Sequence, residues 1–282
     1  MDIQFNEDNI PFVMWGDNKI ILEPGPFTEK YYKEKAEAEL RETPENIEKG
    51  LKELRELVKE TLRVPLERDE FLMKFLRPCK FYAQSAFEKI KAYYQFKRAH
   101  KTYCDELVPT KVRLAIENSV VSILAPRDQH GRRIMLIESG GIGGQWYPFC
   151  RPGVVPPHTS IQTVNCKSWF INEQNNNLMF FFQDCTPIRV KAIHIINQPF
   201  IFNMLFAIFK PFLRQKLRSR IYFHGNDKKS LLDHVDAKAL RARHGGELPD
   251  PEIPGEVLWK MFYHYEDKFK VANSYGYLPK IK

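Results

Sequence analysis

The chain has 282 residues, 43% of them hydrophobic and 13% aromatic, which suffices for a sizeable core and excludes wholesale disorder. Its acidic, polar start, MDIQFNEDNI, argues against a secretory signal, and five scattered cysteines without a C-x-x-C pair indicate neither a disulfide framework nor a zinc site. A soluble, intracellular protein with reduced thiols is expected. The formal charge of +8 is unevenly spread: the 42 residues between Asp184 and Asp227 contain no acidic side chain.

Taken in chain order, residues 1–28 read as an irregular leader, because Pro11, Pro24 and Pro26 interrupt any helix. Thr43-Pro44-Glu45 signals a helix start, with Thr43 as N-cap and Pro44 in the first turn. Ile47, Leu51, Leu54, Val58 and Leu62 then recur at helical spacing and mark one buried face. Asp69 is read as the cap of a short helix, FLMKFLR. A longer helix runs from about Gln84 to His100, with Ala83, Phe87, Ile90 and Tyr94 inward. The first hundred residues are thus expected to be all-helical.

Beyond them the pattern changes. Asp128-Gln129-His130-Gly131 is a turn feeding an apolar strand at 132–138, and 190–197 and 221–224 read as further strands. Helices are expected at 201–209, just after Pro211, at 230–234, at 237–241 and from Val257. Strands alternating with helices predict an α/β sheet that is largely parallel. Residues 139–182 fit neither period: they are nearly uncharged, rich in glycine and proline at first, and read as irregular.

No catalytic constellation emerges. Gly140-Gly141-Ile142-Gly143-Gly144 has Trp146 where a dinucleotide loop needs glycine, and Tyr147-Pro148 prevents the receiving helix. His194 and His224 each sit on an apolar strand and read as hydrogen-bonded core histidines rather than metal ligands. The expectation is no enzyme, no metal and no cofactor. The 22 residues from Ala192 to Leu213 are the most apolar, but His194, Asn197, Gln198, Pro199 and Asn203 argue against a membrane span.

The acid-free block carries Arg189, Lys191, Lys210, Arg214, Lys216, Arg218 and Arg220, interleaved with Phe200, Phe202, Leu205, Phe206, Ile208, Phe209 and Phe212. A basic run alone fits a solvated helix face. Mixed with large apolar side chains it points to the interface of an anionic membrane. Nucleic acid is not the expected polyanion, since no zinc finger, basic zipper or RNP motif occurs.

Several segments resemble the CRAL-TRIO family of lipid-binding proteins: Phe71 to Arg77 with Ala86 and Tyr93-Tyr94; the run Pro187 to Pro199; Phe209-Lys210-Pro211-Phe212-Leu213; Lys216 to Ile221; His224-Gly225; and His244-Gly245-Gly246. The resemblance implies a helical N-terminal module followed by an α/β cage, with a parallel-type sheet as floor and an amphipathic helix as lid. Its organisation would be a leader and first helix (1–42), the helical module (43–104), the lipid-binding domain (105–250) and a C-terminal tail (251–282).

By the same resemblance, Phe202, Leu205, Ile208, Phe209 and Leu213 belong to the lid and its anchor over one small hydrophobic ligand, a tocopherol, a retinoid or a similar lipid. Arg189, Lys191, Lys216 and Arg220 match a patch that binds phosphatidylinositol bisphosphate. A fifth basic position is Cys79 here, with Arg77 or Lys80 as substitutes. The implied function is uptake of a hydrophobic molecule in the cytoplasm and its release at phosphoinositide-containing endosomal or plasma membranes. The alternatives are a phosphoinositide-reading trafficking adaptor without cargo, or a form with a disrupted pocket, because 139–182 lacks the family's aspartate-rich strand motif.

Overall fold

The computed structural model describes residues 2–15, 18–21, 30–105, 107–118, 120–138, 164–165, 185–198, 200–249 and 254–278. Its strands are β1 (Gln4–Phe5), β2 (Pro11–Trp15), β3 (Asn18–Ile21), β4 (Leu62–Arg63), β5 (Val121–Arg127), β6 (Arg133–Glu138), β7 (Val164–Asn165), β8 (Ile193–Ile196), β9 (Ile221–Gly225) and β10 (Gly276–Tyr277). Its α-helices are α1 (Lys30–Leu40), α2 (Pro44–Val58), α3 (Asp69–Leu76), α4 (Ala83–Ala99), α5 (Lys101–Cys104), α6 (Arg113–Glu117), α7 (Phe200–Phe209), α8 (Gln215–Arg218), α9 (Lys228–Leu232), α10 (Gly255–Tyr263) and α11 (Glu266–Asn273). The chain forms two compact units, one from residues 24–106, 180–189 and 268–282, the other from 1–23, 107–179 and 190–267.

The first unit is helical for the reasons its sequence states. The Thr43 hydroxyl accepts from the Asn46 N–H (3.2 Å), and Pro44 occupies the first turn of α2. Leu51, Leu54 and Val58 then face inward and meet Leu72, Phe75 and Leu76 of α3 and Ala83, Ala86, Ile90 and Tyr94 of α4. Burying this many side chains is what holds short helices that would be marginal alone. Asp69 does not cap α3. Arg68 holds that position without a side-chain bond, while the Asp69 carboxylate, one residue inside, is taken by Arg55 of α2. The C-terminal strand β10 returns to pair antiparallel with β4, and the Tyr277 hydroxyl donates to the Lys91 carbonyl (3.0 Å).

The second unit begins with a correction. The leader is not irregular: β1, β2 and β3 form an antiparallel meander whose Val13 and Ile20 are fully buried against Ile116, Ile123, Leu258 and Met261. Pro11 opens β2, a position where a missing N–H is tolerated. A strand pair follows, β5 with β6, antiparallel around the Asp128 turn, whose carboxylate accepts from the N–H groups of His130 (2.9 Å) and Arg132 (2.7 Å). Gly131 supplies the positive φ of 74° that this turn requires.

Parallel pairing then appears twice, β6 with β7 and β8 with β9. All four residues of β8 are buried, as a strand covered on both faces demands. The crossover from β8 to β9 contains α7 and α8, the arrangement parallel neighbours need. The described residues therefore combine helices with both antiparallel and parallel strand pairs. The expectation of an irregular 139–182 lies outside the described residues except at β7, where a short strand is present.

Where α10 crosses α6, a β-carbon on Gly255 would lie 2.1 Å from the Glu117 carbonyl oxygen and 2.6 Å from that of Ile116. Backbone cannot yield as a side chain does. Gly255→Ala is expected to cost about 2–3 kcal/mol in chemical denaturation. Gly276→Ala, which meets open space, should change stability by less than about 0.5 kcal/mol.

Candidate functional site

Helix α7 and the residues after it carry most of the side chains singled out from sequence. The Phe206 ring is buried and packs on Phe223 of β9 with ring centroids 4.7 Å apart, so α7 is anchored to the parallel pair by one aromatic contact. Asn203, Met204, Ala207 and Ile208 are exposed and share one face, as residues at these spacings must. Met204 and Ile208 are 55% and 64% exposed, so large apolar side chains stand in water on the outward side of this helix. Leu213 is buried just beyond it. The backbones of Phe202, Leu205 and Phe209 belong to α7; their side chains lie outside the described residues. Ile208, expected in the lid, is on its solvent face.

The cations divide by what they touch. Lys210, Arg214 and Lys216, which follow α7 in the chain, are exposed. Arg218 turns back, donating to the carbonyls of Pro211 (3.3 Å) and Leu213 (3.0 Å), and so fixes the bend between α7 and α8. Arg220 is half-buried and donates to the Val190 carbonyl, while its own carbonyl accepts from the Ile193 N–H (2.7 Å). That places Arg220 beside the segment that carries Lys191. Arg189 is in the helical unit, ion-paired to Glu39 of α1 at 2.8 Å. Arg77, one of the two substitutes named for the fifth basic position, is paired to Glu42 at 2.7 Å. Sequence reasoning missed both acidic partners.

Between the strands, His194 Nδ1 meets His224 Nε2 at 2.9 Å, and His224 Nδ1 meets the Ser230 hydroxyl at 2.8 Å. A register shift between β8 and β9 makes His224 the extra residue and lets the two rings meet. Burial first, and then the neighbouring His224 and His234, hold His194 down at about 3; burial likewise lowers His224. These are core histidines bonded to each other, as their apolar strands suggested. Among the described residues no cluster of His, Cys, Asp or Glu is arranged to hold a metal, and no helix is long and apolar enough to cross a membrane.

At the carboxyl ends of β8 and β9 a small cleft is lined by Ile196, Gly225, Lys228, Leu231, Arg243 and His244. It holds little more than a water molecule, whereas small-molecule sites run to about 300–1,000 Å³. Beside it, Glu138 receives Arg241 (3.0 Å) and Arg243 (2.9 Å), and His244 lies 3.7 Å away.

An outward apolar helix followed in the chain by exposed cations is set on a parallel strand pair, the arrangement of an α/β protein with an amphipathic surface helix. In sequence comparisons, the model of the CRAL/TRIO domain matches residues 159–246. The chain is 25% identical over 259 residues to Clavesin-2 of Homo sapiens, covering 83% of this chain and 79% of the relative. It is 27% identical over 240 residues to Alpha-tocopherol transfer protein-like of Homo sapiens, covering 75% and 69%. Clavesin-1 of Xenopus laevis is 25% identical over 266 residues, covering 86% and 80%. The crystal structure of Sfh5 aligns at a TM-score of 0.40 and 13% identity over 79% of this chain and 89% of that one, too loosely to bear on the fold. By these comparisons the chain is similar to CRAL-TRIO proteins, over residues 159–246 by the domain model and over most of its length by the relatives.

Proposed function

We propose that this protein carries one small hydrophobic molecule of the tocopherol or retinoid class through the cytoplasm. It surrenders the cargo at endosomal or plasma membranes rich in phosphatidylinositol bisphosphate, and performs no chemical step on it. The names of the tocopherol transfer protein-like relatives support the cargo class. The observation that carries the membrane half is α7: Met204 and Ile208 face outward, and exposed Lys210, Arg214 and Lys216 follow.

An apolar face of this kind costs free energy in water and none against lipid, so the bilayer is the surface on which α7 rests most favourably. Opening a lid in water exposes its ligand-facing side as well. Opening it against a bilayer does not, so docking and release are coupled through differential affinity for the open state. Arg189, Lys191, Lys216 and Arg220 supply the headgroup contacts in this reading, each cation near an anionic leaflet contributing on the order of 1 kcal/mol.

The test is cosedimentation with vesicles with and without phosphatidylinositol bisphosphate, for wild type and for the four cations changed to alanine. Ile208→Asp should weaken vesicle binding roughly tenfold. Because Ile208 is 64% exposed, that change should leave the unfolding midpoint unmoved. Equal binding by all these proteins overturns the docking site. Solvent extraction and mass spectrometry of protein purified from cells then decides the cargo: a stoichiometric lipid supports the carrier, and an empty protein that still binds vesicles is the trafficking adaptor.

A further inference from the structure

The acidic end of α1 bears on the docking reading just given, and the inference here rests on that reading. Glu39, in the last turn of α1, holds Arg189 with its Oε2 2.8 Å from Nη2, both side chains 36% exposed. Three residues on, Glu42 holds Arg77: Oε1 lies 2.7 Å from Nη2, and both carboxylate oxygens lie 3.1 Å from Nε. Glu42 is the more buried partner at 14%, Arg77 the more exposed at 43%.

The junction presenting the two carboxylates is well defined. Arg41 adopts a left-handed φ of 63°, its guanidinium lies over the Tyr82 ring at 4.5 Å, and the Thr43 N–H returns to the Arg41 carbonyl at 2.9 Å. Arg189, which sequence matched to a headgroup patch, and Arg77, one of two substitutes for its fifth position, are thus each occupied by a carboxylate from one short, fixed segment.

A carboxylate and a phosphate make the same forked contact with a guanidinium. Exposed ion pairs are weak and open readily; Glu39–Arg189 is open to water on both sides and Arg77 on its own, so an external anion can reach both guanidiniums although Glu42 is largely buried. The incoming anion must nonetheless outdo a tethered one. A lipid with a single negative charge offers Arg189 about what Glu39 already offers. A headgroup with several clustered phosphate charges offers more, because one molecule engages neighbouring cations together.

We infer that Glu39 and Glu42 are tethered competitors for Arg189 and Arg77, and that they set the selectivity of docking by admitting polyphosphorylated lipid headgroups and rejecting singly charged ones. Their removal matters most for the weaker competitor, phosphatidylserine.

The experiment is vesicle cosedimentation of the full chain on phosphatidylcholine vesicles doped with phosphatidylserine or, at matched total charge, with phosphatidylinositol 4,5-bisphosphate. Each released cation is worth about fivefold near an anionic surface. Glu39→Gln with Glu42→Gln should therefore raise phosphatidylserine binding by more than an order of magnitude and bisphosphate binding far less, contracting the ratio between them. In an Arg189→Ala background Glu39→Gln should add nothing. Glu53→Gln removes the same charge from an exposed pair with Lys49 on α2 and should behave as wild type.

The inference is overturned if the double variant binds both vesicle types as wild type does, or if Glu53→Gln reproduces its effect; docking itself would then stand. A wild type that ignores both vesicles beside a double variant that binds both would show competition without selectivity and would also overturn it. If neither protein binds either vesicle, the docking reading and this inference fall together. Should the double variant fail to fold, Glu39→Gln alone carries the test, since its pair is half-exposed.

Discussion

Glu138→Ala is expected to lower the unfolding free energy by about 3–5 kcal/mol, the range for removing one partner of a buried ion pair. Glu138 ends β6 with its side chain 12% exposed, and Arg241 beneath it is 1% exposed. One carboxylate faces two guanidiniums, Arg241 at 3.0 Å and Arg243 at 2.9 Å, with His244 close by. Removing it leaves concentrated positive charge in a site with little access to water. Leu240, next to Arg241, sits in one core with Leu124, Ile134 and Leu136, so the loss reaches the β5–β6 sheet. Glu138→Gln should cost less, because an acceptor remains. Replacing the pair together, Glu138→Leu with Arg241→Met, should recover much of the loss, since the penalty belongs to the stranded charge. Urea titration of the four proteins measures this, and a loss below about 1 kcal/mol for Glu138→Ala would show that water or another anion reaches Arg241.

The parts of the fold legible in the sequence were those governed by neighbours a few residues apart. The Thr43 cap, the α2 stripe and the fully buried β8 are local consequences of propensity and burial, and they formed where the pattern put them. The leader was misread because prolines were taken as breakers of helix only. The alternation that marks β2, with Val13 buried beside exposed Met14, was present but short, and a strand of five residues offers little period to detect. Asp69 was misassigned because an acidic residue at a helix start satisfies two rules at once, and the choice was made by Arg55, fourteen residues earlier in another helix.

The candidate site was legible in its composition and not in its pairings. The acid-free block predicted cations and aromatics together, and α7 with its following lysines and arginines has that character. What could not be read was which cations are already engaged. Arg189 meets a carboxylate 150 residues away, and Arg218 and Arg220 spend donors on backbone carbonyls that only the folded turn brings near. Charge counting treats these residues alike. Geometry sets Lys210, Arg214 and Lys216 on the surface and shows which carboxylate and carbonyls Arg189, Arg218 and Arg220 hold.

Acidification should destabilise the parallel pair through His194. Its ring is 2% exposed, bonded to His224, stacked on Tyr222 at 5.1 Å and faced by His234 at 5.2 Å, with the charge of Arg132 also acting on it. Around His224 stand Ser230, Asp227 and Asp233, the last two favouring its charged form without overcoming burial. One ring donates to the other across 2.9 Å, and a further proton on the pair would place a positive charge in this buried site. In the unfolded chain the ring takes a proton near its ordinary value of about 6.5, whereas the folded chain holds it neutral down to about 3. Above the unfolded value both states are neutral and stability is flat. Below it the unfolded state binds the extra proton, so stability falls with pH by about 1.4 kcal/mol per unit for His194, and His224 adds to the slope. The window from about pH 6.5 to about pH 4.5 lies above most carboxylate titrations, so the histidines dominate there. His194→Gln removes the titrating ring, and its urea midpoint should lose stability less steeply than wild type across that window, by about one proton's slope. Parallel slopes for the two proteins would mean that the folded pair accepts its proton as readily as the unfolded chain, and that β8 and β9 are not held by a neutral histidine bridge.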